Sequence, residues 1–163
     1  ARWLQAHLPK DGDAALLHND YKFDNVVLDA ASLDTDTPRI VGVLDWEMAT
    51  LGDPLMDLGT VLSYWVEEAD RDEAKAFAFG PTFAPGSLTR KEIAARYASR
   101  TGRDLTNLPF TFAFALFKNA VVAQQIYARW KAGLTQDERF ATLIFGVQLL
   151  SVQALEVAGG KPL

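Results

Sequence analysis

Near the start of the chain, His18, Asp20 and Asn25 stand in the spacing H-x-D-x-x-x-x-N within LLHNDYKFDNVVLD, and Asp45 closes a second apolar run, RIVGVLDWE. Asp20, set just after a short apolar run, can orient and deprotonate a hydroxyl. Asn25 and Asp45 are hard oxygen donors of the kind Mg²⁺ prefers over imidazole or thiolate. A carboxylate at an attacking oxygen, with oxygen ligands holding Mg²⁺ against phosphates, is what phosphoryl transfer to a hydroxyl demands. The five-residue step from Asp20 to Asn25 is too long for one helical turn. It suits a loop that leaves one strand, crosses a cleft and enters another, so that both side chains face one cavity.

Each of these residues alone reads as a turn residue after an apolar run. The ordered set, with Gly52-Asp53-Pro54 and Asp57 downstream, is what points to chemistry. His18 reads as a hydrogen-bonded packing residue that holds the loop, not as a proton donor or ligand. Trp46 reads as an apolar anchor with its N–H satisfied, and Glu47 either as a surface residue or as a contact to metal-bound water. Lys22 is open between a solvated side chain and a phosphate contact.

HNDYKFDN, VLDWE and LGDPLMDLG resemble the motifs of the aminoglycoside phosphotransferase and choline kinase-like family, relatives of the protein kinases. The wording LDWEMATLGDPLMDLG looks closest to the kinase-like domains that accompany acyl-CoA dehydrogenases. The resemblance implies the C-terminal lobe of a protein-kinase-like fold, α+β and mostly α, with a small β-ribbon at the cleft and a helical bundle. It implies ATP as co-substrate, Mg²⁺ as cofactor and a small-molecule alcohol as acceptor. Asp20 would be the catalytic base, Asn25 and Asp45 the Mg²⁺ ligands, and Asp57 a support for the catalytic loop. Lys22 matches a position where many protein kinases keep a phosphate-contacting lysine. The specific part of the match is His18 to Asp57.

The same family needs an N-terminal lobe with a loop over the ATP phosphates, a strand lysine and its glutamate partner, and none of these is found here. Too few residues precede the first core strand to build one. The expectation is a fragment, inactive or nearly so alone, with that lobe as its missing partner. The alternative is a non-catalytic kinase-like binding or regulatory module, against which the intact Asp20, Asn25 and Asp45 speak.

With 163 residues, 49% of them hydrophobic, the chain suits a single domain with a real core over 1–163. A net charge of -5 argues against a nucleic-acid partner, which would need a basic face. The absence of cysteine excludes a disulfide framework, a zinc-thiolate site and a cysteine nucleophile. With only His7 and His18, a multi-histidine metal site is excluded too. The window Leu108 to Val122 reads as the most apolar, but Lys118 and Asn119 interrupt it, so it is expected to be a core helix and no membrane partner is expected. A cytoplasmic location follows from the ATP chemistry.

The elements that must position these residues can be taken in order. Ala1 to Leu8 reads as a helix tail before Pro9, Lys10 to Asp13 as a turn, and Ala14 to Leu17 as a buried strand. Val26 to Leu28 and Arg39 to Leu44 should pair as a ribbon beneath the cleft. Asp53-Pro54 starts a helix expected to run to about Ala69, with Leu55, Leu58, Leu62 and Trp65 facing the core and Asp57 suiting the dipole of its first turn. Residues 70–87 read as a loop or lid anchored by Phe77, Phe79 and Phe83. Thr89 and Glu92 predict a capping box for a helix to about Thr101. A long helix from about Pro109 to Ala132 follows, and Thr135 with Glu138 predicts a second box opening a last helix before Gly159.

Charge patterns pull the acceptor two ways. The acidic run Glu67 to Glu73 reads as a solvated helix end or as an attraction for a cationic substrate such as an aminoglycoside. Arg96, Arg100 and Arg103 recur at helical spacing, as a solvated face or as a strip for a phosphorylated or coenzyme A-bearing substrate. Aminoglycosides, choline-like alcohols, sugars and hydroxyacyl-CoA all offer a hydroxyl, and the residues do not choose among them.

Overall fold

The structure, a computed structural model, describes residues 1–10 and 12–162. It is α+β and mostly α, as the family resemblance implies. Helix α1 (Arg2–Ala6) leads to strand β1 (Ala15–Leu17). The turn expected over Lys10 to Asp13 falls partly outside the described residues, at Asp11. Strand β2 (Val26–Leu28) pairs antiparallel with β3 (Ile40–Val43), Val26 opposite Val43, which is the expected ribbon. A second ribbon was not foreseen: β4 (Thr50–Gly52) runs antiparallel to β1, Leu16 opposite Leu51. Three residues with one apolar side chain give too little alternation to read as a strand, so the partner reveals it.

Helix α2 (Leu55–Tyr64) is shorter than expected. It ends at Trp65, whose extended backbone turns the chain away while its indole N–H donates to the Leu88 carbonyl at 2.8 Å. Val66 then pairs with the Thr82 hydroxyl through both its N–H and its carbonyl. The segment beyond holds one helical turn, α3 (Asp72–Lys75), and packs by the expected aromatics, Phe79 edge-on to Tyr64 at 5.3 Å and Phe77 against Gly146. Helix α4 (Arg90–Thr101) has the predicted Thr89/Glu92 capping box, and Gly102 ends it in the left-handed conformation.

Helix α5 (Leu108–Lys131) packs against both α2 and α6 (Leu143–Ala158). The second capping box is absent. Asp137 instead accepts from the Arg139 N–H and opens a 3₁₀ turn over Glu138–Thr142, so α6 starts later than expected. A neighbouring carboxylate is the better acceptor and displaces Thr135. Among the described residues Glu138–Ala158, not Leu108 to Val122, is the stretch long and apolar enough by composition to cross a bilayer, and here it lies along α5.

The core forms where α2 crosses α5. Leu55, Leu58 and Leu62, at helical spacing, meet Leu108, Phe112 and Leu116, with Ala94 and Val157 closing the sides. Each such side chain contributes about 1.5–3 kcal/mol relative to exposure. At the crossing stands Gly59, where a Cβ would meet the Thr111 main chain at 2.7 Å, so the two backbones touch. This joint fixes α2, whose two ends carry side chains to the loop after β1.

Candidate active site

The loop after β1 is held from three sides. At its start His18 is buried, and the Asp20 N–H donates to its Nδ1 (3.3 Å), which leaves Nε2 to donate to the Leu44 carbonyl at 2.7 Å. One imidazole thus ties the loop carrying Asp20 to the strand end carrying Asp45. Its ring also packs on Trp46, 4.7 Å between centroids, and the Trp46 N–H donates to the Val43 carbonyl.

From the first turn of α2, Asp57 accepts the main-chain N–H groups of His18 and Asn19, both at 2.7 Å. From α5, the Lys118 ammonium donates to the Asn19 carbonyl at 2.9 Å, and the Asn19 side chain donates to the Met48 carbonyl. Asn19 therefore has every main-chain polar group and its side chain engaged, and it is left-handed at φ 65. Among the described residues the other non-glycine residue at positive φ is Asp45, at φ 66. Such backbone costs about 1 kcal/mol or more and persists where surroundings enforce it. Both instances flank this one site.

Asp20 projects from the clamped loop with its two oxygens divided between partners. Oδ2 receives the Lys22 ammonium at 2.6 Å and the Asn25 amide at 3.1 Å, and Oδ1 receives the Tyr64 hydroxyl at 2.7 Å. Burial pushes the Asp20 carboxyl up, but hydrogen bonds from Lys22, Tyr64 and Asn25 and the charge of Lys22 outweigh it and hold it below the usual aspartate value. The Tyr64 hydroxyl is pushed well above the ordinary phenol range by burial and then by its bond to Asp20. Lys118 is half-buried, and burial lowers it despite the opposing pull of Asp20 and Asp57.

Asn25 is buried on a single 3₁₀ turn (Phe23–Asn25), and its amide N–H₂ donates to both the carbonyl and Oδ2 of Asp20. Its Oδ1 is thereby the oxygen turned to other partners. The Leu44 N–H donates to the Asn25 carbonyl at 2.8 Å, so Asn25 and Asp45 share one end of the β2–β3 ribbon. The Asp45 carboxylate is exposed and accepts no hydrogen bond among the described residues. No cluster of three or more His, Cys, Asp or Glu suited to a metal occurs among the described residues. The side-chain oxygens of Asn25 and Asp45 are of the type Mg²⁺ takes, an ion that keeps waters and binds substrate phosphates alongside one or two protein ligands.

The other sequence candidates fare differently. Lys22 is an ion-pair partner of Asp20 that also lies 5.4 Å from the Tyr64 ring centre, not a solvated side chain. Glu47 is exposed and makes no hydrogen bond among the described residues. The arginine strip breaks up, because α4 ends at Thr101 and Gly102 turns the chain at φ 69, putting Arg103 off the helix and 3.6 Å from Asp13. Arg96 and Arg100 are exposed on α4, and none of the three lines the cavity beside Asp20. The acidic run divides: Glu67 and Asp70 both bind Arg90, which is 7% exposed, whereas Glu68, Asp72 and Glu73 are exposed, as a solvated end would be.

That cavity, about 1240 Å³, opens from Asp20 between α2, α5 and α6, with Tyr64, Lys118, Asn119 and Phe112 in its walls. Tyr64 and Lys118 are the residues that sequence reasoning missed. Tyr64 falls seven residues, two helical turns, after Asp57, a spacing that puts both on the face toward the loop. Lys118 interrupts the apolar run of α5, and a charge inside a core helix is itself a signal.

The phosphotransferase enzyme family, APH, matches residues 1–90 of the chain. Acyl-CoA dehydrogenase family member 11 from Gallus gallus is 32% identical over 97% of this chain and 20% of its own length. Its namesake from Rattus norvegicus is 30% identical over 96% of this chain and 20% of its own. The chain thus spans about a fifth of the curated relatives it matches. A crystal structure from Ralstonia eutropha, described as an aminoglycoside phosphotransferase, superposes with a TM-score of 0.75 at 27% identity, covering 97% of this chain and 47% of that one.

Proposed function

We propose that this chain, which belongs to the APH phosphotransferase enzyme family, carries the acceptor and metal side of an ATP-dependent kinase for a small-molecule hydroxyl. The observation that carries the reading is the clamp on Asp20. His18, Asp57 and Lys118 fix its loop, and Lys22, Asn25 and Tyr64 fix its carboxylate.

In this reading Asp20 is ionised at neutral pH and accepts a hydrogen bond from the acceptor hydroxyl, aligning that oxygen with the γ-phosphorus. The acceptor O–P bond forms as the bond to the β,γ-bridging oxygen breaks, ADP leaves with that electron pair, and the hydroxyl proton passes to Asp20. A weakly basic carboxylate suffices, because a loose transition state asks for orientation before full deprotonation. Lys22, the ion-pair partner of Asp20, would offer positive charge to the transferring group. Asn25 Oδ1 and the Asp45 carboxylate would hold Mg²⁺, which when bound neutralises phosphate charge. The cavity beside Asp20 would receive the acceptor. Arg90 offsets part of the charge of Glu67 and Asp70, which weakens the acidic run as a reason to expect a polycation without choosing the acceptor. A cytoplasmic setting belongs to the same proposal.

The test uses the natural protein that carries this chain, assayed by ADP release against sugars, choline-like alcohols, aminoglycosides and hydroxyacyl-CoA. Asp45→Ala should weaken calorimetric binding of Mg-ATP at least tenfold, about 1.4 kcal/mol. Unchanged binding and turnover would remove the metal role.

A further inference from the structure

Both oxygens of Asp20 are engaged, and by different parts of the molecule. Oδ2 is held by Lys22 and Asn25, residues of its own loop and on the side of the proposed metal ligand. Oδ1 is held by Tyr64, at the far end of α2, in the wall of the cavity. The Tyr64 ring is itself fixed, edge-on to Phe79 and near the Lys22 ammonium, with Asn119 donating to the neighbouring Ser63 hydroxyl at 2.9 Å. A carboxylate gripped at both oxygens cannot rotate freely, and Asp20 and the Oδ1 partner Tyr64 both line the cavity.

We propose that Tyr64 is a positioning residue for the transfer: its hydroxyl turns Oδ1 of Asp20 toward the cavity, so that the acceptor hydroxyl docks on that oxygen while Oδ2 stays with the nucleotide side. The inference rests on Asp20 being the base. It makes Tyr64 matter for the acceptor and not for the nucleotide. A purely structural tyrosine would not make that distinction.

Tyr64→Phe in the natural protein keeps the ring and both ring contacts and removes one oxygen. Turnover should fall about 10- to 100-fold, the effect of losing one hydrogen bond to an ionised group, while KM for Mg-ATP stays within about twofold. A second readout needs no activity. Tyr64→Phe should lower the unfolding midpoint by about 2–6 °C in the wild-type background and by nearly nothing beside Asp20→Ala, because the partner is then gone.

Wild-type turnover in Tyr64→Phe, with Asp20→Ala dead, overturns the role of Tyr64 and leaves the kinase reading standing. A rise in KM for Mg-ATP in step with the loss, or equal midpoint shifts in both backgrounds, overturns it as well. Full turnover in Asp20→Ala, or none in the wild type with any acceptor class, sinks the reading of Asp20 and this inference with it.

Discussion

Replacing Gly59 by alanine should loosen the joint that holds the site together. An alanine Cβ would lie 2.7 Å from the carbonyl carbon and oxygen of Thr111 and 3.0 Å from the Phe112 nitrogen. Carbon contacts settle near 3.5–4.0 Å, so the helices must separate by roughly 1 Å. All three atoms are main chain, and no rotamer change can relieve the clash. Overpacking of this kind costs about 1–3 kcal/mol, against which alanine returns up to about 1 kcal/mol of helix propensity. Because only main-chain atoms meet the new Cβ, the upper part of that cost, about 2–3 kcal/mol, applies, and the net loss is about 1–2 kcal/mol, a midpoint lower by about 2–8 °C in a domain of this size. The same shift reaches the chemistry. Asp57 and Tyr64 lie on either side of Gly59 on one helix, each making 2.7 Å hydrogen bonds to the loop. A displacement of about 1 Å takes such bonds past hydrogen-bonding distance. Thermal unfolding followed by circular dichroism, with ADP release on the same samples, reads both effects. A Gly59→Ala protein as stable as wild type would refute the close approach and the reasoning built on it.

Arg90→Met should destabilise by roughly 3 kcal/mol in urea unfolding, the low end for stranding buried carboxylates, since Glu67 and Asp70 keep some water contact. It should also open residues 67–90 to limited proteolysis, and an unchanged digestion pattern would show that Arg90 does not tie down that segment. Acid should erase what Asp20 contributes. Its folded value lies below the usual aspartate value, so its stabilisation is present above the unfolded value and is lost as pH falls through the folded one. The midpoint gap between wild type and Asp20→Asn should therefore shrink below about pH 4, and a gap that widened on acidification would contradict the sign.

Much of the site was legible because its residues are bound to local signals. His18, Asp20 and Asn25 sit on one loop, so spacing alone joins them, and the Thr89/Glu92 box and Gly102 mark α4 by chemistry that needs no tertiary partner. What escaped notice depends on long-range contact. β4 exists by pairing with β1, the end of α2 is set by Trp65 reaching Leu88, and Arg90 draws Glu67 and Asp70 out of an otherwise solvated acidic run into a partly buried ion cluster. Tyr64 and Lys118 bond to the loop across 44 and 99 residues. Their periodicity relative to Asp57 and to the apolar face of α5 held a clue that single-residue typing passes over.

If Asp20 is the base proposed above, helix α2 couples stability to chemistry. Its first turn gives Asp57 to the main chain of His18 and Asn19, its last gives Tyr64 to Asp20, and its middle is seated on the α5 backbone at Gly59. The left-handed turn at Asn19 can persist because Asp57 takes its N–H and Lys118 takes its carbonyl, and those two groups come from the two helices joined at Gly59. A strained turn held between two packed helices aims a carboxylate more narrowly than a loop held by its own residues, because the helices move only as bodies. Substitutions in the hydrophobic joint should therefore register in turnover as well as in the unfolding midpoint, whereas substitutions on the exposed Arg96 and Arg100 face of α4 should register in neither.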